Sequence, residues 1–179
     1  MEDKNNRLKR FQNGSPIEII ETLLNSLDNF MNREIDISAK GECWNLVVIG
    51  IHAVALTLSE GLFGKSGITG YKLFLMKFID IDEKGYDFSV IADDIHNYRN
   101  VLAHRWLSQT GYEFGLDFSM KEGYQIRDKI TVFNPKRYYQ SYNEAFSGGG
   151  KIWDYEKILT KDELDQTKDR LIDRYLHKK

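Results

Sequence analysis

Hydrophobic positions along this chain follow two different periods, and the change between them comes near residue 110. Ile17, Ile20, Leu24, Leu27 and Phe30 recur at spacings of three and four, the signature of one helix face. Ser15-Pro16-Ile17-Glu18 supplies a start for that helix: a capping serine, a proline at the first helical position and a glutamate that closes a capping box. The helix is predicted to run to about Arg33, after a polar lead over residues 1–13. A second helix is predicted over Gly41 to Gly61. Its centre, Leu46-Val47-Val48-Ile49-Gly50-Ile51, resembles a strand, but the apolar pattern continues through Ala53, Ala55 and Leu58, which favours a buried central helix. A short third helix follows from Thr69 through Leu73, Phe74 and Phe78, and a fourth covers roughly Phe88 to Ser108.

The period then becomes two. Tyr112, Phe114, Leu116, Phe118 and Met120 alternate with polar or small residues, as in a half-buried strand. Tyr124, Ile126, Ile130 and Val132 mark a weaker partner, with Lys121-Glu122-Gly123 as the expected turn. Asn134-Pro135 starts another helix through Tyr138, Tyr139 and Tyr142. Ser147-Gly148-Gly149-Gly150 reads as a flexible break over residues 147–151. Thr160-Lys161-Asp162-Glu163 is a second capping box, opening a charged final helix to about Tyr175 whose face is expected to be solvated. The expected fold is mainly α: an up-and-down bundle of four to five helices in a single domain, with a β-hairpin inserted near residues 112–133 and a C-terminal helix.

Composition narrows the function classes. The chain has 179 residues, 41% hydrophobic and 29% charged, enough for one domain with a sizeable core. Its single cysteine, Cys43, excludes an internal disulfide and a cysteine-based zinc site. No signal-peptide pattern opens the sequence. The best apolar run, Leu46 to Leu58, is short for a membrane span and contains His52, so no membrane partner and a cytoplasmic location are expected. A net charge of −2 argues against nonspecific binding to long nucleic acid unless basic groups gather locally, as in a groove between two copies.

Candidate chemistry concentrates in the fourth helix. At about 100° per residue, Ile91, Ile95, Tyr98, Leu102 and Trp106 share one side, while Asp93, His96, Asn100 and His104 cluster nearly opposite. Arg99 stands at the border. The polar stripe is expected to face solvent or a second subunit. Arg99, Asn100 and His104 combine a fixed cation, an amide and a group that exchanges a proton near neutral pH. A bland alternative stays open, with Arg99 paired to Asp93 or Asp94 and His104 a surface histidine.

Arg99-Asn100-Val101-Leu102-Ala103-His104 resembles the Arg-x4-6-His signature of the HEPN superfamily (higher eukaryotes and prokaryotes nucleotide-binding domains), in which a polar residue commonly follows the arginine. The resemblance covers six residues of motif and a matching helix order over roughly residues 15–108. It implies a helical bundle and a metal-independent endoribonuclease without cofactor. It further implies a homodimer whose two motifs share one cleft, an RNA substrate, and a role as a toxin with an antitoxin partner or as an antiphage effector. Arg99, His104 and Asn100 would be catalytic, with His96 and Asp93 in support. Some family toxins carry a tyrosine, modified by a partner enzyme, two positions after the histidine; here that position is Trp106. A non-catalytic module binding a nucleotide or a protein is the alternative.

Three other motifs are weaker. Ser59-Glu60-Gly61-Leu62-Phe63-Gly64-Lys65-Ser66 approaches a phosphate-binding loop, but Ser59 stands where glycine is needed and a helix precedes it; a helix end followed by a tight loop, with Gly61 and Gly64 left-handed, is the favoured reading. His52, His96, His104 and Asp93 lack zinc-helix spacing, and no metal is expected. Tyr138, Tyr139 and Tyr142 beside Lys136-Arg137 have the composition of a base-stacking surface, although such tyrosines more often pack a helix onto a hairpin.

Overall fold

The computed structural model describes residues 12–80, 87–105 and 114–174, excluding the side chains of His104 and Arg105. The protein is mainly helical with a small three-stranded sheet. Helix α1 (Pro16–Ser26) starts where the capping box predicts: the Glu18 amide donates to Ser15 Oγ at 3.3 Å, and the Ser15 amide donates to Glu18 Oε2 at 2.8 Å. Ile19, Ile20, Leu23, Leu24 and Leu27 are buried. Phe30, expected on the same stripe, is 72% exposed. A π-helical turn over Leu27–Asn32 widens the helix and rotates the face that follows it, so Asn32 turns inward instead. There it accepts a hydrogen bond from Tyr142.

The chain stays helical through α2 (Arg33–Lys40), well past the expected end near Arg33. Ile35 holds α2 against α3 (Trp44–Leu58), and Gly50 permits the approach: a Cβ there would stand 2.7 Å from Ile35 Cγ1. Helix α3 is the centre of the molecule, with Val47, Val48, Ile51, Val54, Ala55 and Leu58 all essentially inaccessible. With the π turn Ser59–Phe63 it forms a continuous 20-residue helix, long and apolar enough by length and composition to cross a bilayer, and more than half of its apolar window is buried inside the protein. Helix α4 (Gly67–Phe74) follows and ends in a further π turn, Leu75–Ile79. A 3-10 turn (Phe88–Ile91) leads into α5 (Ala92–Arg105), the helix that carries the motif.

The sheet departs from the inserted hairpin expected over residues 112–133. Strands β1 (Phe114–Leu116), β2 (Tyr124–Arg127) and β3 (Ile130–Phe133) lie in the order β1-β3-β2. The hairpin is β2–β3, closed by Asp128 and Lys129 at φ +50° and +70°, the left-handed pair that two-residue hairpin turns require. The first strand joins β3 in parallel, so Lys121-Glu122-Gly123 belongs to a connection and not to a hairpin turn. Thr131 of β3 donates to Asp94 Oδ2 at 2.6 Å, tying the sheet to α5.

Helix α6 (Pro135–Phe146) is capped by Asn134, whose side chain accepts from the Lys136 and Arg137 amides. Tyr138 and Tyr142 are buried, and Tyr139 donates to Asp36 at 2.8 Å, so the three tyrosines pack the core or bridge to α2 instead of forming a stacking surface. The glycine stretch beyond α6 forms a tight turn: the Gly150 amide donates to the Ser147 carbonyl at 2.6 Å, and a Cβ on Gly150 would sit 2.4 Å from the Ala145 carbonyl oxygen. After α7 (Tyr155–Ile158), the second predicted capping box opens α8 (Lys161–Ile172) at Thr160 and Glu163. One side of α8 is not solvated as expected. Thr167 and Leu171 are buried, and Arg170 donates to the Gly61 carbonyl at 3.0 Å and the Leu62 carbonyl at 2.6 Å. The helix thereby engages carbonyls that the end of α3 leaves without helical partners. Of the two glycines expected to be left-handed there, Gly64 is, at φ +63°, while Gly61 lies within the π turn and gives Leu171 room.

Candidate functional site

Helix α5 lies along α3 with Ile95 and Leu102 buried, and Ile91 in the turn before it, as the apolar stripe predicts. Tyr98, on the same side, is half-buried. It donates to Asn45 Oδ1 at 2.5 Å and stacks on Phe114 with centroids 4.8 Å apart. Burial pushes the Tyr98 phenol up to about 12, so it acts as a neutral anchor at physiological pH. These contacts, with Asp94–Thr131, set the rotation of α5 and therefore where its polar residues stand.

The polar residues do not all face outward. Asp93 is exposed in the first turn of α5. His96 is half-buried, and its Nδ1 lies 2.9 Å from Nε2 of His52, which is fully buried on α3. The expectation that the stripe points away from the protein's own core is therefore corrected at His96. The His52 ring also packs 4.4 Å from the Tyr71 ring, centroid to centroid, and Tyr71 is held by a 2.9 Å hydroxyl contact to Tyr138. Arg99 is half-buried and donates from an Nη to Asn100 Oδ1 at 3.0 Å. His104 lies in the last turn of α5, with its side chain outside the described portion, and Trp106 lies outside the described residues.

Electrostatics mark this neighbourhood. Burial, then the adjacent His96, then the Arg99 guanidinium together push the His52 imidazole down to about 3. His96 is lowered as well, by burial first and by Arg99 second, against a smaller opposing pull from Asp93. Both rings are thus neutral near pH 7. Arg99 forms no ion pair with Asp93 or Asp94 among the described residues, and its buried Nε has no hydrogen-bond partner. A buried guanidinium N–H left without an acceptor is costly unless a ligand completes it. Arg99, the Asn100 amide and the half-buried His96 imidazole, backed by His52, are therefore a set suited to an oxyanion such as a phosphate.

His52 was not part of the expected site. A histidine within an apolar helix must find a polar partner, and that was the available signal; its partner lies 44 residues away and is invisible to local pattern. Among the described residues no three His, Cys, Asp or Glu side chains converge, and His104 of the metal alternative has its side chain outside them. The phosphate-loop alternative meets a helix where a strand is required, as residues Ser59–Phe63 continue α3. Comparison with protein-family models, with curated proteins and with solved structures finds no match to this chain.

Proposed function

We propose that the chain is a HEPN-like, metal-independent endoribonuclease, built on an up-and-down bundle and active as a homodimer whose two α5 helices form one cleft. The observation that supports it most is Arg99. Its guanidinium is held by Asn100 beside the two neutral histidines, carries no carboxylate partner among the described residues, and keeps a buried N–H unused. A structural arginine is normally neutralised or fully hydrogen-bonded. Arg99 is arranged as a receptor for an anion.

The chemistry follows from RNA's own nucleophile. One His104 takes the proton of the 2′-hydroxyl, and that oxygen attacks the adjacent phosphorus. The 5′-oxygen leaves with a proton from the other subunit's histidine. Arg99 and Asn100 hold the phosphate while its negative charge increases in the transition state. The products are a 2′,3′-cyclic phosphate and a 5′-hydroxyl, and DNA is inert. In a cell this activity makes the protein a toxin or antiphage effector, with an antitoxin protein as a natural partner. Expression of the wild type should arrest growth, and His104→Ala should abolish the arrest; equal toxicity of both would remove His104 from the mechanism. The net charge of −2 favours a second reading, a non-catalytic module that binds a nucleotide or a protein. Pure protein that dimerises or binds nucleotide while leaving RNA intact would select it.

A further inference from the structure

We propose that His52 is a positioning residue that locks His96 in its Nε2–H tautomer, so that His96 offers a neutral N–H donor beside Arg99 to an anionic phosphate oxygen. This rests on the Arg99 site described above and assigns His96 a different task from His104.

The assignment comes from hydrogen-bond accounting. His52 Nε2 and His96 Nδ1 stand 2.9 Å apart, so one of the two nitrogens carries the shared proton. His52 is fully buried, and its other nitrogen, Nδ1, has no partner. If His96 donated, neutral His52 would carry its proton on that Nδ1, leaving an orphaned N–H in the core. If His52 donates, Nδ1 is a bare acceptor. Buried N–H groups without acceptors are the rarer and costlier case. His52 Nε2–H therefore donates to His96 Nδ1, and a neutral His96 must carry its own proton on Nε2. The packing of Tyr71 against His52, with the Tyr71 hydroxyl held by Tyr138, fixes the plane of the donating ring. Arg99 opposes protonation of both rings, and only a partial counter-pull on His96 comes from Asp93.

The consequence is a division of labour. His96 cannot serve as the base, because its bare nitrogen is occupied by His52. It binds the phosphate as a donor, next to one fixed cation, and leaves proton transfer to His104.

The test is imidazole 15N NMR on the full chain at neutral pH, with inorganic phosphate as the probe. Free wild type should show His96 protonated on Nε2 and bare on Nδ1, and phosphate should shift the His96 signals. His52→Phe, which keeps a ring but removes the donor, should mix the His96 tautomers and weaken phosphate binding by ~5–10-fold, the effect of one lost hydrogen bond. His52→Gln, whose amide N–H donates to the same acceptor, should restore both. A His96 protonated on Nδ1 in the wild type overturns the proposal, whether or not the Phe variant folds. Unchanged phosphate affinity in a folded His52→Phe protein overturns it too. RNA left intact by a protein with the expected tautomer and phosphate response refutes the ribonuclease reading and leaves the role of His52 standing.

Discussion

Two arginines rest on the same central helix and are used in opposite ways. Arg170, from α8, engages the end of α3, donating to the Gly61 and Leu62 carbonyls and to Thr167 Oγ1. Arg99, from α5, acts electrostatically on His52 of α3, donates among the described residues only to its neighbour Asn100 and leaves a buried Nε without an acceptor. Both are half-buried. What differs is satisfaction: among the described residues Arg170 leaves no buried nitrogen unpartnered, whereas Arg99 has a buried donor left over. Unused hydrogen-bonding capacity separates a candidate site from a structural contact more clearly than charge or burial does.

The largest expected effect lies on the Arg99 side. Arg99→Ala should lower RNA cleavage by about 10²–10³-fold, the usual cost of losing an oxyanion-stabilising donor. Its unfolding free energy in urea should stay within about 0.5 kcal/mol of wild type, because the one described partner it abandons is its half-buried helix neighbour Asn100. Arg170→Ala should do the reverse. The Gly61 carbonyl loses its Arg170 donor and the Leu62 carbonyl keeps only Thr167 Oγ1, and chemical denaturation should show a loss of about 1–3 kcal/mol with cleavage per folded molecule unchanged. If Arg99→Ala is the more destabilising of the two, the contrast fails.

The pH dependence of stability comes next. His52 is lowered in the folded state to about 3 and His96 is lowered too, so below the ordinary histidine value of 6.5 the unfolded chain binds more protons than the native one. Stability contributed by these rings is complete above pH 6.5 and is lost as pH falls; for the buried His52 the loss continues toward pH 3, with a slope of up to about 1.4 kcal/mol per pH unit. His52→Phe should flatten that slope in urea titrations between pH 6.5 and 4; an unchanged slope would show that the pair does not titrate on unfolding. The smallest effect is expected from Arg174→Ala. Arg174 pairs with Glu60 at a partly exposed position on the same end of α3, and its loss should cost under about 1 kcal/mol. A loss matching that of Arg170→Ala would mean that charge, and not carbonyl capping, holds α8 in place.

What the sequence made legible was local. Both capping boxes, Ser15 with Glu18 and Thr160 with Glu163, span three residues and form as read. The apolar face of α5 and the turn before it is also where periodicity puts it, through Ile91, Ile95 and Leu102. What escaped depends on distant partners or on small changes of helical pitch. The π turn at Leu27–Asn32 turns Phe30 outward, and no hydrophobic pattern announces an extra residue per turn. The parallel pairing of β1 with β3 is set in space, so alternation alone yielded a hairpin with the wrong turn. Arg170 read as part of a solvated face because its acceptors lie more than 100 residues earlier in the chain. In the candidate site, Arg99 and Asn100 were evident as neighbours, but the polar side of α5 gave no hint that His96 would meet a histidine from the core.

The central claim is that Arg99 is an anion receptor serving metal-independent RNA cleavage. The most direct measurement is digestion of an end-labelled RNA in excess EDTA by wild type and Arg99→Ala, with the product termini analysed. The account predicts wild-type products ending in a 2′,3′-cyclic phosphate and a 5′-hydroxyl, with the folded variant nearly inert. Undiminished cleavage by Arg99→Ala, or wild-type cleavage that vanishes with EDTA, would contradict it.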